Sequence, residues 1–255
     1  MTAPPRRRRG AGAFVLAVLG MVATFVVIAV SVAAERDDGA EHTRGDGLTP
    51  ADVDRGTPVP QPPPLPAGTD LAAWSEEAAE SSGVPARALR AYAAAELAQR
   101  ATTPDCRLSW NTIAGIGRVE SNHGRYGGAS VDADGVARPP IVGIPLDGSD
   151  GVREIRDTDG GRFDGDPAYD RAIGPMQFLP GTWARYGADG NGDGVRDPHQ
   201  LDDAALAAAH YLCAEGRDTA SGEGWWDGVL TYNRSVGYAR LVWAAADRYA
   251  TATAA

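Results

Sequence analysis

Apolar positions fall into three regimes along the chain. From Ala13 to Ala34 they run uninterrupted by charge. A helix of that stretch would be about 33 Å long, enough to cross a hydrocarbon layer of about 30 Å. From 35 to 69 the apolar pattern gives way to Asp, Gly, Thr and Pro, with Pro58, Pro60, Pro62, Pro63, Pro64 and Pro66 close together. Such a run favours extended polyproline II and resists packing; Pro58–Pro66 would span roughly 28 Å. From residue 70 onward helical spacing sets in. Asp70 suits the cap of a helix through Ser82, with Leu71, Trp74 and Ala78 on one face and Gly83 as its stop. Pro85 opens a second helix that lines up Leu89, Tyr92, Ala93 and Leu97. Ser109 precedes a third, Trp110–His123, closed by Gly124. Further helices are expected at Pro180–Tyr186, Asp202–Glu215, Trp225–Asn233 and Tyr238–Tyr249. Between 124 and 172 the chain holds many Gly and Asp and short apolar runs such as Ile141-Val142-Gly143-Ile144, which predicts a long excursion with one or two short strands. The expected fold class is mainly α with a small β flap (α+β). It comprises one domain over 70–252, a spacer over 35–69, an apolar segment over 13–34 and a basic N-terminus over 1–12.

Charge orients this arrangement. Arg6-Arg7-Arg8-Arg9 precedes the apolar segment, so the N-terminus is expected in the cytoplasm and the body outside it, held by a single membrane span. Ser31-Val32-Ala33 also has the small-x-small form of a cleavage site; a cleaved signal sequence would release the body into the same compartment. All 24 basic residues are Arg, against 34 Asp and Glu, for a net charge of −10. A body this acidic repels a phosphate backbone, which excludes a general nucleic-acid binder. Two cysteines cannot form a four-thiolate metal site. In an exported domain Cys106 and Cys213 are expected to pair, closing a loop near 100 residues, for which chain entropy gives about 4.7 kcal/mol.

Three segments carry candidate chemistry. In Ile113-Ala-Gly-Ile-Gly-Arg-Val-Glu-Ser-Asn-His-Gly124, Glu120 ends an otherwise apolar helix whose Ile113, Ile116 and Val119 should face the core. Gly115 and Gly117 admit close approach of another backbone. A carboxyl partly withdrawn from water has a raised pKa and can serve as a general acid near neutral pH. A solvated Glu paired with Arg118, Arg125 or His123 is the alternative. The second segment, Ala172-Ile-Gly-Pro-Met-Gln-Phe-Leu-Pro-Gly-Thr-Trp183, places Met176 and Gln177 at the mouth of a turn. The third is Thr231-Tyr-Asn-Arg-Ser235, at a helix end.

Taken in order, Glu120-Ser121-Asn122-His123-Gly124, Gly174-Pro175-Met176-Gln177-Phe178 with Pro180 and Trp183, and Tyr232-Asn233 resemble the lytic murein transglycosylases of the soluble-lytic-transglycosylase superfamily, nearest the membrane-bound type B branch. Ser82-Gly-Val-Pro-Ala-Arg-Ala-Leu-Arg-Ala-Tyr92 resembles that branch's first helices. The resemblance implies a lysozyme-like fold with a groove for peptidoglycan glycan strands. It implies cleavage of the β-1,4 bond between N-acetylmuramic acid and N-acetylglucosamine without a cofactor. Glu120 would be the single general acid and base, and the product would be a 1,6-anhydro ring. Ser121, Met176, Gln177, Tyr232 and Asn233 match substrate-binding positions. Ordinary glycosidases need two carboxylates. Asp132, Asp134 and Asp170 lie in the flap, but none sits in a motif that marks it as a partner. A hydrolytic muramidase and an inactive peptidoglycan-binding protein are the competing readings.

Asp189-Gly-Asn-Gly-Asp-Gly-Val-Arg-Asp197 follows an EF-hand loop, offering Asp189, Asn191, Asp193, Val195 and Asp197 to a structural Ca²⁺. The twelfth position, normally Glu, is Gln200, for which Asp202 or Asp203 would have to substitute. An Asp/Gly turn held by its own side chains is the alternative.

Overall fold

The computed structural model describes residues 47–149 and 152–254. The basic N-terminus, the apolar segment 13–34 and the first part of the expected spacer lie outside these residues. Among the described residues no helix is long and apolar enough to cross a membrane.

The body is mainly helical. Its helices are α1 (Leu71–Ser82), α2 (Ala86–Thr102), α3 (Trp110–Ser121), α4 (Pro180–Tyr186), α5 (Leu201–Leu212), α6 (Gly222–Tyr232) and α7 (Val236–Ala252). Their starts obey local chemistry. Asp70 accepts from Ala72 and Ala73 N–H, and Ser221 and Ser235 accept from the N–H groups of Gly224 and Tyr238. Each bond satisfies an otherwise orphaned first-turn donor. Ser109 departs from the expectation. Its side chain makes no capping bond; the N–H of Trp110 goes instead to Glu96, a buried carboxylate on α2, at 2.9 Å. The last expected turn of the Asp202 helix, 213–215, is a separate short 3₁₀ turn over Ala214–Gly216.

The principal packings are α3 on α7, α2 on α5 and α1 on α2. Small residues permit them. Ala204, Ala205, Ala207, Ala208 and Ala209 of α5 are wholly buried. A Cβ on Gly115 would stand 2.8 Å from the Val242 carbonyl of α7. Trp110, Trp225, Trp226, Tyr92, Leu89, Ile113 and Ile116 fill the core between the helices. Cys106 and Cys213 are joined as expected, with Cα atoms 5.5 Å apart, tying the approach to α3 to the end of α5.

The described part of the expected spacer does not stand off the body, and this corrects the reading of 35–69 as a tether. Residues 47–69 are extended but lie along the helices, with Val59 and Leu65 buried in the main core. The strap's carbonyls are the reason. Proline removes a donor, not an acceptor. The Thr57 carbonyl accepts from the indoles of Trp226 (2.9 Å) and Trp243 (3.3 Å), and the Pro60 carbonyl accepts from Asn111 Nδ2 at 2.9 Å. Leu65 N–H donates to Glu96, and Arg100 donates to the Leu65 carbonyl. The folded body therefore begins before residue 70.

The excursion after α3 contains the short strands β1 (Ser130–Val131) and β2 (Ala137–Arg138), antiparallel with Ser130 opposite Arg138. Ile141–Ile144 forms no strand. Pro139 and Pro140 cannot donate to a ladder, and only a bridge from Val142 to Ile173 forms. Arg87 of α2 clamps the hairpin through an ion pair with Asp202 and a bond to the Ala133 carbonyl.

Candidate active site

Helix α3 delivers Glu120 to the edge of the core. Ile113 and Ile116 are fully buried, whereas Glu120 in the last turn is half-buried. A Cβ on Gly117 would run into the Tyr92 hydroxyl and reach Met176 at 3.4 Å, so only glycine lets α3 seat this deeply. Tyr238, in the first turn of α7, donates its hydroxyl to Glu120 Oε1 at 2.5 Å. Burial pushes the Glu120 carboxyl up from 4.5 to about 7, against the lowering effect of the Tyr238 bond. The expected alternatives for Glu120 do not arise. Arg118 donates to Asn122, and the His123 ring bonds to Tyr92 and Tyr249. Among the described residues no ion pair involves Glu120. No carboxylate contributes to its shift either. Asp132 is engaged by the Val136 N–H and Arg138, and buried Asp170 by the Thr158 N–H and hydroxyl.

The turn 173–178 locks onto both helix ends around Glu120. Ile173 and Phe178 exchange backbone bonds, and Gly174 at φ 75° passes so close to the Pro198 carbonyl that any side chain would collide. Ser121 Oγ donates to the Pro175 carbonyl at 2.5 Å and accepts from Gly124 N–H at 2.7 Å. Tyr232 at the end of α6 donates to the Met176 carbonyl at 2.7 Å. Tyr232 and Tyr238 are both close enough to Glu120 for its charge to raise their pKa values, after burial.

Thus Glu120, Ser121, Met176 and Tyr232 come together, but two of them not as expected. Ser121 and Met176 are buried, the serine with its hydroxyl satisfied internally. Gln177 is half-buried at φ 48°, its amide nitrogen donating to the Gly174 carbonyl. Asn233 is exposed, its Oδ1 accepting from Ser235 N–H ahead of α7. Sequence reasoning missed Tyr238 as the partner of Glu120. It also missed Tyr211, whose ring packs 5.5 Å from Tyr232 and 4.7 Å from Tyr186. Both are helix tyrosines outside the quoted motifs, so spacing alone carried no signal for them.

The loop 189–197 is braced by its own side chains. Asp189 accepts from the N–H groups of Gly192, Asp193 and Gly194, and Asp193 accepts from Val195 N–H. Asp197 accepts from His199 N–H, and Asn191 donates to Asp193. The oxygen donors suit a hard cation, but no acidic twelfth ligand is free. Gln200 caps α5, Asp202 pairs with Arg87, and buried Asp203 accepts N–H bonds from Gly190, Asn191 and Asp197. Among the described residues, the three carboxylates that approach within 4.8 Å of one another are Asp157, Asp159 and Asp170 in the flap, a different set.

Comparison with known proteins adds one family. No curated protein matches the chain. Among solved structures, Escherichia coli lytic transglycosylase Slt35 in complex with bulgecin A is 14% identical with a TM-score of 0.41, covering 73% of this chain and 81% of that one. The same enzyme in complex with calcium is 14% identical with a TM-score of 0.41, covering 72% and 80%. SltB3 from Pseudomonas aeruginosa, in complex with NAG-anhNAM-pentapeptide, is 22% identical with a TM-score of 0.29, covering 58% and 41%. Likeness at this level transfers no residue roles. Residues 161–226 match the Transglycosylase SLT domain family, across the 173–178 turn, the Asp-rich loop, α5 and the start of α6. The family match is to that segment, 161–226.

Proposed function

We propose that the protein cleaves the β-1,4 bond between N-acetylmuramic acid and N-acetylglucosamine in peptidoglycan, with Glu120 as the sole general acid and base. One observation carries the reading. Glu120 is a half-buried acid titrating near 7, held by one tyrosine and without a charged partner among the described residues. Near neutral pH it holds a proton to give to the departing glycosidic oxygen, and the resulting carboxylate is stabilised by Tyr238. The carboxylate then takes the proton of the muramic acid 6-hydroxyl as that oxygen bonds to the anomeric carbon. The new bond closes a 1,6-anhydro ring; the departing sugar keeps the first proton, the Glu is reprotonated, and no water is consumed. Tyr232, the half-buried Gln177 and the exposed Asn233 are the side chains assigned to an acetamido group or ring hydroxyl of the strand.

A hydrolytic muramidase would need a second carboxylate beside Glu120 to activate water. The engagement of Asp132 and Asp170 elsewhere disfavours it. The Glu120–Gly124 and Asp189–Gly194 segments support the type B branch. No cofactor enters the reaction, and a Ca²⁺ ion in the 189–197 loop would be structural. The Arg6–Arg9 run, the apolar stretch that follows and the Cys106–Cys213 disulfide support a membrane-anchored body on the cell-wall side. Glu120→Gln tests the central assignment. It should abolish turnover of glycan strands while leaving strand binding intact; retained turnover would remove Glu120 from the mechanism.

A further inference from the structure

The turn that follows Glu120 is held in a conformation that side chains avoid. Asn122, His123 and Gly124 take φ of 52°, 61° and 79° in succession. For the first two this left-handed region is unfavourable, and it persists only where the surroundings over-determine it. Part of the determination is backbone. Asn122 and His123 N–H close onto the Arg118 and Gly117 carbonyls, and Ser121 Oγ ties Gly124 to the turn at Pro175. The remainder is the His123 side chain.

That side chain is buried, with 3% of its surface exposed, between α2 and α7. Nδ1 lies 3.1 Å from the Tyr92 hydroxyl and Nε2 lies 3.0 Å from the Tyr249 hydroxyl. A neutral imidazole offers one donor and one acceptor, and a tyrosine hydroxyl can serve as either, so the three groups satisfy one another. Among the described residues, the groups acting on the ring are Tyr92, Tyr249, Arg118 and Arg125. Burial first, then the two guanidinium charges, hold the imidazole down to about 3, so it carries no proton in the reaction. Helix α7 thus grips this end of α3 twice, at Glu120 through Tyr238 and at His123 through Tyr249.

We propose that His123 is a positioning residue: a neutral strut from Tyr92 to Tyr249 that fixes the left-handed turn after α3, and through it the Glu120 carboxyl against Tyr238. The proposal rests on the reading of Glu120 as the general acid and base.

The test is steady-state kinetics on soluble glycan oligomers across pH, for His123→Phe, His123→Gln and Tyr92→Phe, normalised to the folded fraction. His123→Phe keeps a ring and removes both nitrogens. It should lower kcat about tenfold to a hundredfold, the scale of a small misplacement of a reacting group. KM should stay within about twofold, since ground-state binding is untouched. The basic limb of kcat should move to lower pH as water reaches the loosened carboxyl. His123→Gln keeps a donor and an acceptor and should restore most of kcat and the parent limb. His123→Phe with the parent's kcat and limb overturns the proposal. Should His123→Phe fail to fold, Tyr92→Phe, which removes one of the two bonds, decides in its place: a lower kcat with a moved limb supports the strut, and parental values refute it. Turnover by Glu120→Gln would sink the reading of Glu120 itself, whereas an inactive Glu120→Gln beside a parental His123→Phe sinks only the strut.

Discussion

A half-buried acid held protonated near neutral pH should cost the fold stability, and here the cost can be placed on a pH axis. The Glu120 carboxyl is raised from 4.5 to about 7. Unfolded, it ionises near its ordinary value. Between the two values the folded chain holds a proton that the unfolded chain has released, so stability falls as pH rises through this window and the loss is complete above it. At 1.36 kcal/mol per unit the loss is up to about 3 kcal/mol. Glu120→Gln removes the charge while leaving an acceptor for the Tyr238 hydroxyl. The variant should match the parent below pH ~4.5 and exceed it by up to about 3 kcal/mol near pH 8.5. In a body of this size that is about 6–12 °C in Tm. Urea and thermal melts of both proteins at acidic, neutral and basic pH measure it, the paired comparison cancelling every other titration. A variant no more stable than the parent at pH 8.5, or one stabilised equally in acid, would refute the account of a desolvated Glu120.

Tyr238→Phe removes a bond that favours the ionised carboxylate. A hydrogen bond to a charged group is worth about 1.5–3 kcal/mol, so the basic limb of kcat/KM should move up by about one pH unit or more; a limb that stays or moves down contradicts the bond. Starting the chain at 70 in place of 47 uncovers the core beneath Val59 and Leu65 and orphans the indoles of Trp226 and Trp243. At about 1.5–3 kcal/mol per buried aliphatic side chain the loss should exceed about 3 kcal/mol, and equal melting temperatures of the two forms would show the strap to be dispensable. Replacing Cys106 and Cys213 by serine should cost about 2–5 kcal/mol in urea unfolding, with an unchanged midpoint as the contrary result.

The sequence carried the helices and the acid further than it carried their neighbours. Asp70, Pro180 and Gly83 mark helix boundaries by local chemistry, and all three boundaries stand where that chemistry puts them. Glu120 was legible because a lone carboxylate follows an apolar stripe on a helix with two close-approach glycines. Tyr238 was not, because its partner lies 118 residues away and nothing local marks the contact. Ser121 and Met176 were recognisable as motif residues, yet a motif does not say which side of the backbone a residue faces, and both face inward. The strap shows a limit of composition. Six closely spaced prolines do give an extended chain, but its free carbonyls and the apolar Val59 and Leu65 let it lie on tryptophans contributed by α6 and α7. Ser109 erred in the same way: a good local cap was displaced by Glu96, brought to the helix end by tertiary packing.

In the proposed reaction one half-buried acid, Glu120, closes an anhydro ring without water. Mass spectrometry of the muropeptides that the purified protein releases from peptidoglycan tests it most directly. The account predicts products ending in 1,6-anhydromuramic acid, each lighter by one water than its hydrolysed counterpart. Products with free reducing muramic acid ends would contradict it and require a second carboxylate beside Glu120.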